Sequence, residues 1–302
     1  MENFYLILLY LSIGLIFKRL SILPDNSAMV LNHFVLYISL PALILQKIPS
    51  LTFSTALLIP LLTPWLLLIA IALLVLLIGK QLAWPRQVTG ALLIVLPLGN
   101  TSFLGFPIIQ GFYGDVGLSY AVIYDQLGTF LGLSTYATVI AALYGSHTRT
   151  LKLSHLITRI LTFPAFVSLI VALIIKDMHY PPLMRLVVDN LALTLVPVIM
   201  IAVGLNLNFR LPSELKLPFF IGLFIKLILM PVLVYMGLNA AGQDGLAVTV
   251  SVFCAAMPPM ISAGALAISA NLAPKLVSAL VGYGLLLSLA TLPSYHWLLA
   301  LL

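Results

Sequence analysis

Apolar runs long enough to cross a bilayer follow one another along this chain almost without interruption, and that leaves very little else for it to become. Separated by polar or Pro/Gly punctuation, they fall at 4–20, 28–46, 55–78, 88–112, 118–144, 154–175, 183–206, 217–238, 245–270 and 274–300. A helix needs roughly 20 residues to span the hydrocarbon, so ten crossings consume about 200 residues. Of 302 residues, 62% are hydrophobic and 7% charged, so no length remains for a water-facing catalytic domain. The reading is an all-α polytopic membrane protein of ten transmembrane helices.

The charges orient it. With the N-terminus outside, the inner loops hold Lys18, Arg19, Lys80, Arg86, Arg149, Lys152, Arg159, Arg210, Lys216 and Lys275, and the outer loops only Lys47, Lys176 and Arg185. Both termini are therefore expected on the extracytoplasmic side of the inner membrane. Lys18 and Arg19 follow the first apolar run while Glu2 precedes it, the reverse of a cleavable signal. The net charge of +6 is scattered over short loops and assembles no basic stripe, so no nucleic-acid partner is expected. Cys254 is the sole cysteine, and the five histidines share no metal-like spacing, so neither a disulfide nor a metal site is expected.

Gly145 to His155, the longest polar segment, falls between the fifth and sixth spans. It divides the chain into 1–145, a cytoplasmic connector 146–155, and 156–302. At an offset of 156, Pro41 meets Pro197 and Phe53 meets Phe209. Five spans is an odd number, so the second half enters the membrane in the opposite sense to the first: two inverted five-helix repeats.

The fourth and ninth spans, which correspond between halves, are broken near their middles. One reads Leu96-Pro97-Leu98-Gly99-Asn100-Thr101-Ser102-Phe103-Leu104-Gly105-Phe106-Pro107, the other Ala256-Met257-Pro258-Pro259-Met260-Ile261-Ser262-Ala263-Gly264. Proline removes a helix donor and glycine admits non-helical angles, so both segments are expected to unwind at depth, where only a cavity can satisfy the freed backbone groups. Crossed half-helices aim positive dipole ends at the midplane and offer carbonyls to a cation. Asn100, Thr101, Ser102 and Ser262 add donors suited to a small carboxylate. Gly99, Gly105, Pro107, Met257, Pro258 and Pro259 complete the candidate substrate site.

Two ionisable residues lie within spans. Asp125, about seven residues into the fifth, sits roughly 10 Å deep at 1.5 Å per residue, with Gln126 beside it. It is a candidate proton carrier or cation ligand. Lys226, near the middle of the eighth span and followed by Pro231, lies too deep to reach the surface. It is a candidate for charge compensation, for attracting a substrate carboxylate, or for replacing a coupling cation. Structural pairing is the competing account of both. Trp65, Trp84, Trp297 and several tyrosines fall near span ends and read as headgroup anchors.

The run Gly99 to Pro107, together with Met257-Pro258-Pro259, resembles the auxin efflux carrier family, especially its bacterial members, and the resemblance covers the whole chain. It implies a fold shared with bile-acid sodium symporters and sodium/proton antiporters, with scaffold and transport domains drawn from both halves. It also implies homodimerisation through the scaffold, no resident cofactor, coupling to H+ or Na+ where coupling exists, and an organic anion as cargo, auxin-like or dicarboxylate. The long hydrophilic loop of the plant members is absent, being replaced by Gly145 to His155.

The function expected is secondary transport of a small organic anion by alternating access, with export favoured. A channel or sensor is the alternative. An intramembrane aspartyl protease needs a second embedded Asp, whereas Asp189 and Asp244 lie near span boundaries and no GxGD motif exists. HExxH, a GxSG serine and a nucleotide-binding glycine loop are also missing, so no enzyme is expected.

Overall fold

A computed structural model describes residues 2–24, 26–50, 55–145, 157–158, 161–175, 181–206 and 213–301. The connector 146–155 and the Phe53 and Phe209 pair lie outside these. The described residues are mostly helical and contain no strand, only one isolated antiparallel bridge. Six helical runs are long and apolar enough to cross a membrane: Ser27–Lys47, Thr55–Gln81, Thr101–Tyr144, Pro182–Leu205, Lys216–Ala240 and Pro274–Leu301. Shorter apolar helices occupy Arg86–Val95, Pro164–Ile174 and Leu246–Ala255.

The chain forms two compact units, one from Met1–Ser54, Ser102–Val122 and Ile157–Leu207, the other from Thr55–Thr101, Ile123–Leu156 and Asn208–Leu302. In the first, α1 (Glu2–Leu20) and α2 (Ser27–Phe34) lead into α3 (Leu40–Lys47). Later come α8 (Pro164–Ile174), α9 (Pro182–Leu193) and α10 (Leu195–Asn206). Proline opens α8 and α9, where its missing N–H costs nothing and its fixed φ starts the turn. Gly14 of α1 and Gly204 of α10 let two backbones touch: a Cβ on Gly204 would stand 2.9 Å from the Gly14 Cα. Polar pairs then bind α3 and the turn before it to their neighbours, Ser39 to Thr194 at 2.7 Å and Gln46 to Asp189 at 2.7 Å.

In the second unit, α4 (Leu58–Gln81) and α5 (Arg86–Val95) precede the wide turns Asp125–Phe130 and Leu133–Ala137 and α7 (Thr138–Tyr144). The rest comprises α11 (Lys216–Phe224), α12 (Met230–Ala240), α13 (Leu246–Ala255), α14 (Ile261–Ser269) and α15 (Pro274–Leu301). The core runs through Leu92, Leu96, Leu223, Val252, Leu276 and Leu280. α6 (Phe106–Tyr124) carries a break at Gly114, whose φ of 67° is left-handed and suits glycine.

Wide π turns recur at Val35–Ser39, Thr101–Gly105, Asp125–Phe130, Leu133–Ala137 and Ile225–Leu229. Two have a direct cause. The N–H of Leu40 reaches back five residues to Val35, and that of Met230 to Ile225, immediately before Pro41 and Pro231. Proline cannot donate, and its ring crowds the carbonyl four residues earlier, so an extra residue in the preceding turn relieves the clash.

Candidate functional site

Both punctuated segments unwind, as their Pro and Gly content predicts. α5 stops at Val95, and residues 96–100 run non-helically into the wide turn at Thr101; α13 stops at Ala255, and 256–260 run non-helically into α14. The two stretches pair antiparallel at Gly99 and Pro259. The Asn100 N–H donates to the Pro258 carbonyl at 2.8 Å, and the Met260 N–H to the Leu98 carbonyl at 3.0 Å. Each break thereby supplies the other with backbone partners that lipid lacks. Gly99 eases this close approach, because a Cβ would stand 3.2 Å from the Cys254 carbonyl and 3.4 Å from the Lys226 Nζ and Met257 Cβ.

Around this pairing the side chains are buried. Asn100 is 2% exposed, and its Nδ2 has no hydrogen-bond partner among the described residues. Thr101 is fully buried and donates its hydroxyl to the Asp125 carboxylate. The same Oδ1 accepts from Thr129 at 2.9 Å, while Oδ2 accepts from the Gln126 amide at 2.7 Å. The Gln126 Oε1 has no hydrogen-bond partner among the described residues. Asp125 itself is 0% exposed, so it is a desolvated carboxylate held by side-chain donors.

Lys226 is also 0% exposed. Its ammonium meets the Met230 sulfur at 3.7 Å, and no described carboxylate forms a salt bridge with it. The sequence thus places ten of its thirteen candidates at or beside one crossover: Gly99, Asn100, Thr101, Met257, Pro258, Pro259, Asp125, Gln126, Lys226 and, half-buried on the first turn of α14, Ser262. Ser102, Gly105 and Pro107 are buried in the first compact unit, where they form the wide turn and the start of α6.

One expectation needs correcting. Trp65 is no headgroup anchor, since its indole N–H donates to the Leu127 carbonyl at 2.9 Å. Two tyrosines act likewise: the Tyr136 hydroxyl donates to Leu93 at 3.1 Å and the Tyr295 hydroxyl to Leu227 at 2.9 Å. Each accepting carbonyl has lost its ordinary helical donor. Residues four beyond Leu93 and Leu227 are Pro97 and Pro231, which have no N–H. The residue four beyond Leu127 is Leu131, whose N–H goes to Gly128 instead. Counting back four from each proline finds the orphaned carbonyls in the sequence, but nothing there reveals which distant aromatic reaches them.

A profile described as "Membrane transport protein" matches residues 1–296. The chain belongs to that membrane transport protein family. The resemblance to auxin efflux carriers is thereby borne out. Two relatives named uncharacterized transporters span nearly the same length. One, from Methanocaldococcus jannaschii, is 26% identical over 99% of this chain and 98% of its own. The other, from Methanothermobacter thermautotrophicus, is 26% identical over 97% and 96%. This membrane transport protein and its relatives are transporters, not enzymes.

Proposed function

We propose that this member of the family is a secondary carrier that moves a small organic anion by alternating access around the paired breaks. The observation that carries the reading is the antiparallel pairing of Gly99 with Pro259, which joins two interrupted helices at one buried point. α14 begins directly after it and presents its positive dipole end, and the unpaired Asn100 amide adds a donor, both suited to a carboxylate. Lys226 contributes a buried positive charge that an anion would neutralise. Asp125, with Gln126, is the group that takes up a coupling proton or sodium ion.

In this reading the chain crosses the inner membrane ten times as two inverted five-helix repeats, 1–145 and 156–302, with both termini outside and a second copy bound in a homodimer. The near-superposable punctuation of the two breaks supports the repeat: helix stops five residues before Asn100 and five before Met260. A negative-inside potential drives an anion outward at about 2.3 kcal/mol per charge per 100 mV, so export is the favoured direction.

The test is thermal stability of purified protein against small carboxylates, including indole acids and C3 to C5 dicarboxylates, at two pH values with and without sodium. A ligand stabilises the state it binds. The expected result is a stabilising carboxylate whose effect disappears in Asn100→Ala. Stabilisation by cations or neutral solutes alone would overturn the anion assignment.

A further inference from the structure

We propose that Trp65 and Tyr295 are positioning residues of the carrier: Trp65 holds open the wide turn that carries Asp125, and Tyr295 steadies the Pro231-widened turn that carries Lys226, each beside the crossover. The proposal rests on the functional reading above, in that it takes those two charges to belong to the transport site.

Asp125 opens the wide turn Asp125–Phe130 and Lys226 lies second in Ile225–Leu229, and both are completely buried. Each turn has a carbonyl that has lost its donor four residues on, Leu127 because the Leu131 N–H goes to Gly128 and Leu227 because Pro231 has none. In each, a side chain from another helix supplies one: Trp65 of α4 reaches Leu127 and Tyr295 of α15 reaches Leu227, both at 2.9 Å. The clasped carbonyl stands two residues past Asp125 and one residue past Lys226, so the aromatic donor fixes the very turn that carries the charge. Pro64, beside Trp65 in the chain, packs directly on Gly128 of the same turn, leaving no room for a Cβ there.

Register is the reason this matters. A wide turn holds one residue more than an α turn, and one residue is about 100° of rotation and 1.5 Å of rise. If the clasp is lost and the turn tightens, Asp125 rotates away from Thr101, 24 positions earlier, which donates to it. Pro231 keeps the other turn wide in any case, so losing the Tyr295 clasp loosens that turn rather than tightening it, and frees Lys226 from its place 3.4 Å from where a Gly99 Cβ would stand. The two clasps thus act on substrate-site geometry through the backbone, without touching a cargo. Tyr136 caps the Leu93 carbonyl in the same fashion, but no buried charge sits in that turn, so it is the natural control.

Double-substitution cycles on unfolding of the purified full chain test this without any known cargo. Trp65 is replaced by 3-benzothienylalanine, which keeps the bicyclic shape and removes the N–H, and Tyr295 by phenylalanine. The expected result is that Asp125→Asn shifts the unfolding midpoint markedly in the parent and hardly at all once the Trp65 N–H is gone. Lys226→Met should behave in the same way with Tyr295→Phe, while both substitutions remain additive with Tyr136→Phe. Additivity in all the cycles would overturn the positioning role. Tyr295→Phe removes one atom and carries the test alone where the Trp65 replacement fails to fold. Because no ligand enters the measurement, additive cycles sink the clasps and leave the carrier reading to the carboxylate screen, whereas a failed screen with coupled cycles sinks only the carrier reading.

Discussion

Asp125 and Lys226 are wholly buried charges set in wide turns of one compact unit, yet one is surrounded by donors and the other by almost nothing polar. Asp125 accepts from Thr101, Thr129 and Gln126, so its cost of desolvation is repaid locally. Beside Lys226 stand the Met230 thioether, the Gly99 backbone, the Cys254 thiol and the apolar walls of α11 to α13. A charge with built-in partners is in a resting place. A charge without them is a standing cost to the fold, because leaving an ammonium unpaired in an apolar interior costs several kcal/mol.

The sharpest way to break this contrast is to delete each charge and compare the signs. Asp125→Ala removes three side-chain hydrogen bonds, leaving the Gln126 amide without its acceptor while Thr101 and Thr129 keep each other, and should destabilise by about 3 kcal/mol, since each unsatisfied buried group costs roughly 1 to 3 kcal/mol. Lys226→Met fills the same volume without charge and should stabilise by about 1 to 3 kcal/mol. Unfolding in detergent, followed by denaturant or heat, reads both. A loss of stability in Lys226→Met would mean that the ammonium is a structural tie, and the contrast would fail.

Asp125→Asn sharpens the same point on function. The amide keeps the shape and half the hydrogen bonding but cannot carry a proton. Flux of a carboxylate found in the screen should lose its pH dependence in reconstituted vesicles. An unchanged pH profile would remove Asp125 from coupling and leave it as a structural nest. Asn100→Ala should then weaken apparent affinity by about 1 kcal/mol, roughly fivefold, the worth of one hydrogen bond. An unaltered affinity for every transported anion would take Asn100 out of the binding site.

How far these differences were legible from residues alone follows the range of the forces involved. Proline and glycine act on their own backbone, so both breaks were readable from Leu96 to Pro107 and Ala256 to Gly264. That Asp125 and Lys226 fall within long apolar helical runs followed from the hydropathy pattern. Their opposite surroundings did not, because Thr101 and Asp125 lie 24 positions apart and Leu227 and Tyr295 lie 68 apart. The wide turn at Asp125 has no proline four residues past its freed carbonyl, so no local signal announced it. Trp65 misled for a related reason: an indole near a span end looks the same whether its N–H finds a headgroup or a carbonyl.

A third charge calibrates the other two from outside the apolar interior. Asp115 follows the break at Gly114, between the fourth and fifth apolar runs, and pairs with Lys47 at 2.8 Å. The Lys47 hydrogen bond holds its carboxyl below the ordinary 3.8, with Gln110 donating as well at 3.1 Å. A carboxyl lowered on folding contributes stability that is present above its unfolded value and lost as pH falls through the folded one. The contribution is therefore complete at neutral pH and fades only below about 3.8. The Asp115 side chain is 61% exposed, so solvent screening limits the pair to about 0.5 kcal/mol. Asp115→Asn should lower stability by that small amount at pH 7 and by progressively less as pH falls below about 3.8, and added salt should shrink the difference. If its effect instead matched that of Asp125→Ala, exposure would not be what separates the three charges, and the partner count around Asp125 would lose its meaning.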